Sequence, residues 1–307
     1  MKQEQHAILS SIHHDAGESH PEILELYPGI ELSFLSASGK DAFHVCHAPL
    51  PQMLEINYCI SGRMGWDMGN GNRIYLGPGD FSLNTMDVCG NSAITLPNGS
   101  YEGLAIYINL EQLSAQPPAP LAGSPVTGRA LREKYCKDGA CTALAGNETI
   151  QQIFSGLYEP PKEIRLAWQK IKVLELLLVL SQMKASREEH LTEYRVEQVE
   201  IIRQIHDQLT DHLEQRFSIE SLSRQYLMNP TTLKHLFKAV YGTPIGAHIR
   251  EHRMAYAARL LCLSELSIAE IAQKVGYDSQ SRFSSAFREQ YHMLPKEYRR
   301  NHNSESI

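Results

Sequence analysis

Two short runs near the end of the chain carry side chains able to hydrogen-bond to the edges of base pairs. In "NPTTLKHLFKAV" they are Thr231, Thr232, Lys234, His235 and Lys238; in "DSQSRFSSAFRE" they are Ser279, Gln280, Ser281, Arg282, Ser284, Ser285 and Arg288. Lys234 and His235 can donate to guanine O6 or N7, a threonine methyl can touch the thymine methyl, and Gln280 can pair with both edge atoms of an adenine. Arg288 and Lys296 suit phosphate instead, and Arg282 is a further phosphate candidate. A solvated helix face would account for either run alone. It accounts less well for two runs in matching settings, both built from small hydroxyl, amide and basic residues rather than Glu/Lys pairs.

The setting is a repeat. "FSIESLSRQYLMNPTTLKHLFKAVYGTP" (217–244) returns as "LSIAEIAQKVGYDSQSRFSSAFREQYHMLP" (266–295). Phe217, Ser218, Ile219 and Leu222 map onto Leu266, Ser267, Ile268 and Ile271, and after one extra turn residue Leu233, Phe237 and Tyr241 map onto Phe283, Phe287 and Tyr291. Each copy reads as helix, turn and helix. In the second copy Ser267 with Glu270 makes a capping box, Ile268, Ile271, Ala272 and Val275 form one buried stripe, Gly276 permits the turn, and Asp278 is the expected N-cap of the following helix. In the first copy Asn229 caps and Pro230 takes the first helical position. Between the copies, "IGAHIREHRMAYAARLLCL" places Ile245, Ile249, Met254, Ala257, Ala258 and Leu261 at helical spacing, which predicts one connecting helix.

These residues resemble the AraC/XylS family of bacterial transcription regulators. Ala272, Val275, Gly276, Tyr277, Ser279, Ser281, Phe283, Phe287, Arg288, Pro295, Tyr298 and Arg299 meet that family's C-terminal signature, and the likeness covers about the last third of the chain. Three positions depart from it: His292 stands where the family has Gly, Arg282 where it has an aromatic or small residue, and Ser285 where many members have an arginine that holds DNA. The resemblance implies two helix-turn-helix units entering adjacent major-groove segments of double-stranded DNA about 34 Å apart. It also implies a transcription activator that works with RNA polymerase under the control of a small molecule. A siderophore-like effector is one candidate.

Charge and cysteine content fit that reading. The net charge is −6, but residues 195–307 hold 15 Lys and Arg against 13 Asp and Glu, or +2, leaving 14 against 22, or −8, for residues 1–194. The acidity therefore belongs to the first part and does not oppose a nucleic-acid surface in the second. The six cysteines form no C-x-x-C pair and no His-Cys cluster of zinc spacing, so they read as buried free thiols; a redox pair of Cys136 with Cys141 is the alternative. Neither a signal-peptide core nor an apolar run of about 18–20 residues occurs, which predicts a cytoplasmic protein with no membrane association.

Residues 30–110 alternate as short strands with Gly/Pro/Asn punctuation, which predicts a sandwich or small barrel, and "NRIYLGPGDFSLNT" resembles a cupin-like jelly roll. The expected fold is thus α+β in two domains. A cupin-like sensory and dimerisation domain spans 1–184, with its barrel over about 30–110 and helices over about 147–184. A linker follows at 185–197, and an all-α double helix-turn-helix domain spans 198–301. Tyr58, Met64, Trp66, Tyr75, Tyr101 and Tyr107 are the candidates to line a ligand pocket, Trp66 first among them, with plain core packing as the alternative role of each. A cupin metal enzyme would need two His and a carboxylate followed by a later His. His44, His47 and Glu55 have the wrong spacing and no His follows before His190, so no catalytic residue, metal or cofactor is expected. Glu111 to Gly146 reads as loop. The helix over 164–183 is apolar nearly all round and must be covered on more than one side, by a second copy in a homodimer or by its own domain. A regulator without a ligand, whose barrel serves only to dimerise, is the remaining alternative.

Overall fold

The computed structural model describes residues 23–39, 43–68, 71–87, 91–184 and 189–303. The chain divides into two compact units, Met1–Val196 and Glu197–Ile307.

The first unit is built on eleven described strands: β1 (Ile23–Tyr27), β2 (Ile30–Ser38), β3 (Phe43–Cys46), β4 (Leu50–Gly62), β5 (Met64–Asp67), β6 (Asn72–Leu76), β7 (Asp80–Met86), β8 (Asn91–Thr95), β9 (Ser100–Asn109), β10 (Thr142–Ala145) and β11 (Tyr194–Arg195). They form a six-stranded sheet in the order β1-β2-β9-β4-β7-β10 and a five-stranded sheet in the order β11-β6-β5-β8-β3. Strand alternation gives the larger sheet two unlike faces. Leu54, Ile56 and Tyr58 of β4 join Phe81, Leu83, Leu104, Ile106 and Ile108 in a core shared with helices, whereas Cys59, Tyr101 and Ala143 pack with Met64, Trp66, Ile74 and Leu76 of the smaller sheet.

The helices on the outer face are α1 (Leu110–Ala115), α2 (Gly128–Tyr135), α3 (Glu148–Tyr158) and α4 (Arg165–Gln182). Phe154 of α3 stacks on Tyr58 with centroids 4.1 Å apart, and α4 buries Val173, Leu176, Leu177 and Leu180. The terminal carbonyls of α4 find partners in α2: Lys134 Nζ donates to Leu180 O at 2.7 Å and to Ser181 O at 2.9 Å, and the Tyr135 hydroxyl donates to Leu180 O at 2.7 Å.

Two stretches differ from the sequence reading. The segment read as loop, Glu111 to Gly146, contains most of α1 together with α2 and β10, elements of 6, 8 and 4 residues, too short for their periodicity to register. Part of the segment read as linker is hydrogen-bonded to the first unit: Leu191 N donates to Ala143 O, β11 pairs with β6, and Val196 N donates to Gly71 O. Residues 185–188 of that segment lie outside the described residues.

The second unit is helical: α5 (Val196–Asp211), α6 (Ile219–Gln225), α7 (Pro230–Tyr241), α8 (Ile245–Leu263), α9 (Ile268–Lys274), α10 (Gln280–Tyr291) and α11 (Pro295–Asn303). The connecting helix runs over the residues expected of it. Its first half meets the first copy, where Phe237 packs edge-on against His248, and its second half supplies Met254, Ala257, Ala258 and Leu261 to a core with Ile271, Ala272, Val275, Phe283 and Phe287 of the second. Among the described residues no helix is long and apolar enough to cross a membrane.

Candidate nucleic-acid interface and barrel interior

Helix α7 starts as its sequence dictates, with Asn229 Oδ1 accepting from Thr231 N at 2.9 Å and Pro230 in the first turn. Leu233, Leu236, Phe237 and Val240 turn inward, which leaves Thr231, Thr232, Lys234, His235 and Lys238 exposed on the opposite side. All charges on α7 are positive, and Gly242 ends the helix in the left-handed conformation at φ 82°.

Helix α9 begins with the expected capping box: Glu270 N donates to Ser267 Oγ at 3.2 Å, and Ser267 N donates to Glu270 Oε2 at 2.7 Å. Gly276 follows at φ 76°. The expected cap of the next helix is corrected by one residue. Ser279, not Asp278, caps α10, its Oγ accepting from Arg282 N at 3.3 Å, while Asp278 accepts from Arg216 at 2.6 Å. A carboxylate one residue too early cannot reach the amides of the first turn, and a cationic partner is at hand for it. The Ser279 hydroxyl is thereby engaged at the helix start.

Along α10, Phe283 and Phe287 are buried; Gln280, Ser281, Arg282, Ser285 and Arg288 are exposed, and Ser284 is half-buried. Gln280, Ser281, Ser284, Ser285 and Arg288 share one face by helical spacing. His292 ends the helix at φ 58°, the left-handed geometry that its place in the repeat requires. Arg299 is turned to the helical framework, donating to Leu261 O and Leu266 O at 3.2 and 2.6 Å, so it serves packing rather than an outward face.

In the first unit, the face of the larger sheet that meets the smaller one is polar at its centre. Glu31, Tyr107, Glu55 and Asn84 stand in one cross-strand row of β2, β9, β4 and β7, and Ser33, Ala105, Asn57 and Ser82 form the next. Asn84 Nδ2 donates to Glu55 Oε2 at 3.1 Å, while Ser33 Oγ, Ser82 Oγ and Trp66 Nε1 are buried with no hydrogen-bond partner. Such groups each cost about 1–3 kcal/mol unless something satisfies them. Met64, Trp66, Tyr101 and Tyr107 lie on the facing surfaces of the two sheets. Tyr58 does not: its place in the alternation with Leu54 and Ile56 sends it to Phe154 on the helix side. Tyr75 is the neighbour of Gly65 across β5 and β6 and alternates away from Ile74 and Leu76, so it too faces away from Trp66. The polar rows carry Ser33, Asn57 and Ser82, which a search for aromatics overlooks. Of the residues weighed for a cupin metal site, His47 Nδ1 lies 2.8 Å from Ala48 O, and the side chain of His44 lies outside the described residues.

Comparison with known proteins bears on the helical unit. Residues 222–301 match the family described as a helix-turn-helix domain. The HTH-type transcriptional regulator AlkR of Acinetobacter baylyi is 41% identical over 87 residues, 28% of this chain and 28% of that protein. The HTH-type transcriptional regulator ExsA of Pseudomonas aeruginosa is 38% identical over 88 residues, 29% of this chain and 32% of that protein. The chain thus spans about a third of the length of the curated relatives it matches. Among solved structures, ToxT from Vibrio cholerae aligns over 89% of this chain and 98% of its own, with 12% identity and a TM-score of 0.36. The matched span begins at Leu222 in α6 and ends at Asn301 in α11, taking in most of the first copy, the connecting helix and the whole second copy, and the helical unit of this chain carries a helix-turn-helix domain of the AraC type.

Proposed function

We propose that this chain is a sequence-specific DNA-binding transcription regulator, an activator that engages RNA polymerase in the cytoplasm, governed by a small molecule held between the two sheets of its first unit. The observation that carries the reading is the matched exposure on α7 and α10. Each copy turns its apolar residues inward and presents the side chains suited to base edges and phosphates on one outward face. The relatives, named as transcription regulators, support a regulatory role over an enzymatic one.

The polar rows support a ligand in the first unit. Unpaired Ser33 and Ser82 hydroxyls and the Trp66 indole N–H favour a compound rich in hydrogen-bonding groups. Glu31 and Glu55 on the same face favour one that brings donors or positive charge over an anionic iron chelate. A ligand alters DNA binding only through a difference in its affinity for the two states. The homodimer is proposed through residues 164–183, where Ile164 at the N-cap of α4 and Ile171 and Leu178 within it recur every seven residues and are 50%, 62% and 44% exposed.

Selection of sites from a random duplex library by the full-length protein, at near-physiological salt, tests the DNA reading. Two enriched boxes about 10 bp apart are expected. No enrichment by the full chain, nor by residues 195–307 alone, would overturn it.

A further inference from the structure

Helix α8 carries His248 and His252 one turn apart, and α5 carries His206. One ring nitrogen of each histidine lies within 4.8 Å of those of the other two. The ring centroids are 4.6 Å apart for His248 and His252, 5.2 Å for His206 and His248, and 5.7 Å for His206 and His252.

His248 is the informative member. It is 6% exposed, and its Nε2 is buried with no hydrogen-bond partner. Nothing in its aromatic surroundings repays that cost: Phe237 meets the ring edge-on at 5.5 Å and Tyr241 tilts against it at 5.0 Å. His206 is oriented from two sides. Tyr241 stacks on its ring at 4.3 Å and 11°, and its Nδ1 lies 3.1 Å from an Asp207 carboxylate oxygen. With Nδ1 donating to that carboxylate, Nε2 carries the lone pair, as in carboxylate–histidine–metal arrangements.

We propose that His206, His248 and His252 bind one divalent transition-metal ion of the zinc class, which clamps α5 to α8. Three imidazoles suit zinc, copper, nickel or cobalt and not magnesium or calcium, which take oxygen ligands. At Zn–N distances of about 2.0–2.1 Å, tetrahedral ligands stand about 3.4 Å apart. The present spacing closes to that value by rotation of side chains, because His248 and His252 already share a helix face. Water takes the fourth position. The clamp joins the connecting helix to the helix that precedes the first helix-turn-helix copy, beside Tyr241 at the end of α7. It follows from the histidine geometry alone and holds whatever the helical unit binds.

The test is binding of Zn²⁺ and of Co²⁺, its spectroscopic stand-in, to the metal-free full-length chain. Other histidines such as His13 and His14 can take up metal, so the reading is the difference between wild type and two volume-matched variants, His206→Gln and His252→Gln. One equivalent of tight metal, the tetrahedral Co²⁺ visible absorption and a Zn²⁺-induced rise in thermal midpoint are expected in the wild type, with all three lost in both variants. An unchanged metal-free midpoint in the variants would establish that they still fold. Equal stoichiometry and equal Co²⁺ spectra in wild type and variants would overturn the proposal, as would a wild type that takes up no metal.

Discussion

Leu227 and Gly276 hold the same turn position in the two helix-turn-helix copies, both in the left-handed region, at φ 51° and φ 76°. The sequence solves one geometric problem twice with opposite means. A β-carbon on Gly276 would approach Leu213 O at 2.6 Å and the Arg253 guanidinium at 2.8 Å, so glycine is required there. Leu227 is 93% exposed and gains nothing from burial, while a left-handed non-glycine residue costs about 1–2 kcal/mol. Leu227→Gly is therefore expected to stabilise the helical unit by about 0.5–1 kcal/mol, after the extra unfolded-state entropy of glycine is subtracted. Gly276→Ala is expected to destabilise it by at least about 1–2 kcal/mol. Urea midpoints at constant slope check both, and equal effects of the same sign would refute the account.

The start of α10 makes a second contrast. Ser279→Ala removes the cap and is expected to cost about 1 kcal/mol. Asp278→Ala removes only an exposed ion pair with Arg216, expected to be worth a few tenths of a kcal/mol. Denaturation of the two variants side by side decides which residue holds the helix start, and the reverse ranking would restore Asp278 to that role.

The helical unit was legible because its signals are local and doubled: a capping box at Ser267, a proline at 230, a glycine at 276, and Phe283 with Phe287 one turn apart. What escaped the reading depends on pairings far apart in the chain. β10 becomes a strand because Ala143 meets Ser82, and β11 because Tyr194 meets Arg73, neither of which any window of sequence contains. The aromatic chemistry of Tyr58 suggests a pocket residue, although its alternation with Leu54 and Ile56 already sends it outward. The histidine cluster left only the i, i+4 pair on α8 as a trace, since its third member comes from another helix.

On the proposed DNA reading, base reading and phosphate contact on α10 are expected to separate by mutation. Gln280→Ala is expected to relax preference at a single base pair by about 1–3 kcal/mol while leaving binding to random duplex unchanged. Arg288→Ala is expected to weaken all sequences alike and to lower the salt slope by about 0.9. Ser285→Arg adds a cation to the exposed face of α10 and is expected to steepen that slope by a similar amount. Titrations at several salt concentrations read all three, and a uniform loss for Gln280→Ala would remove it from the base-reading set.

Cys59, Cys136 and Cys141 are expected to be inert. Burial pushes Cys59 up to about 12, with the Asp80 carboxylate adding to the effect, and burial does the same for Cys136, while Cys141 rises well above the usual thiol range. At neutral pH a thiol near 12 holds about a thousandfold less thiolate than one near 8.5, so alkylation of Cys59 and Cys136 should be slower by that order. Cys262 is half-buried and gives the internal comparison in peptide mapping. The sign for stability follows from linkage. Folded values above the unfolded one help stability fully below about pH 9, and that help is lost as pH rises from about 9 toward 12, where the unfolded chain sheds thiol protons that the folded chain retains. Alkaline unfolding should therefore shift to higher pH when the unfolded-state titration is removed by Cys59→Ala, once the loss of packing is allowed for at neutral pH. Rapid native alkylation of Cys136 with Cys141, or their ready joining under mild oxidant, would instead support the redox pair.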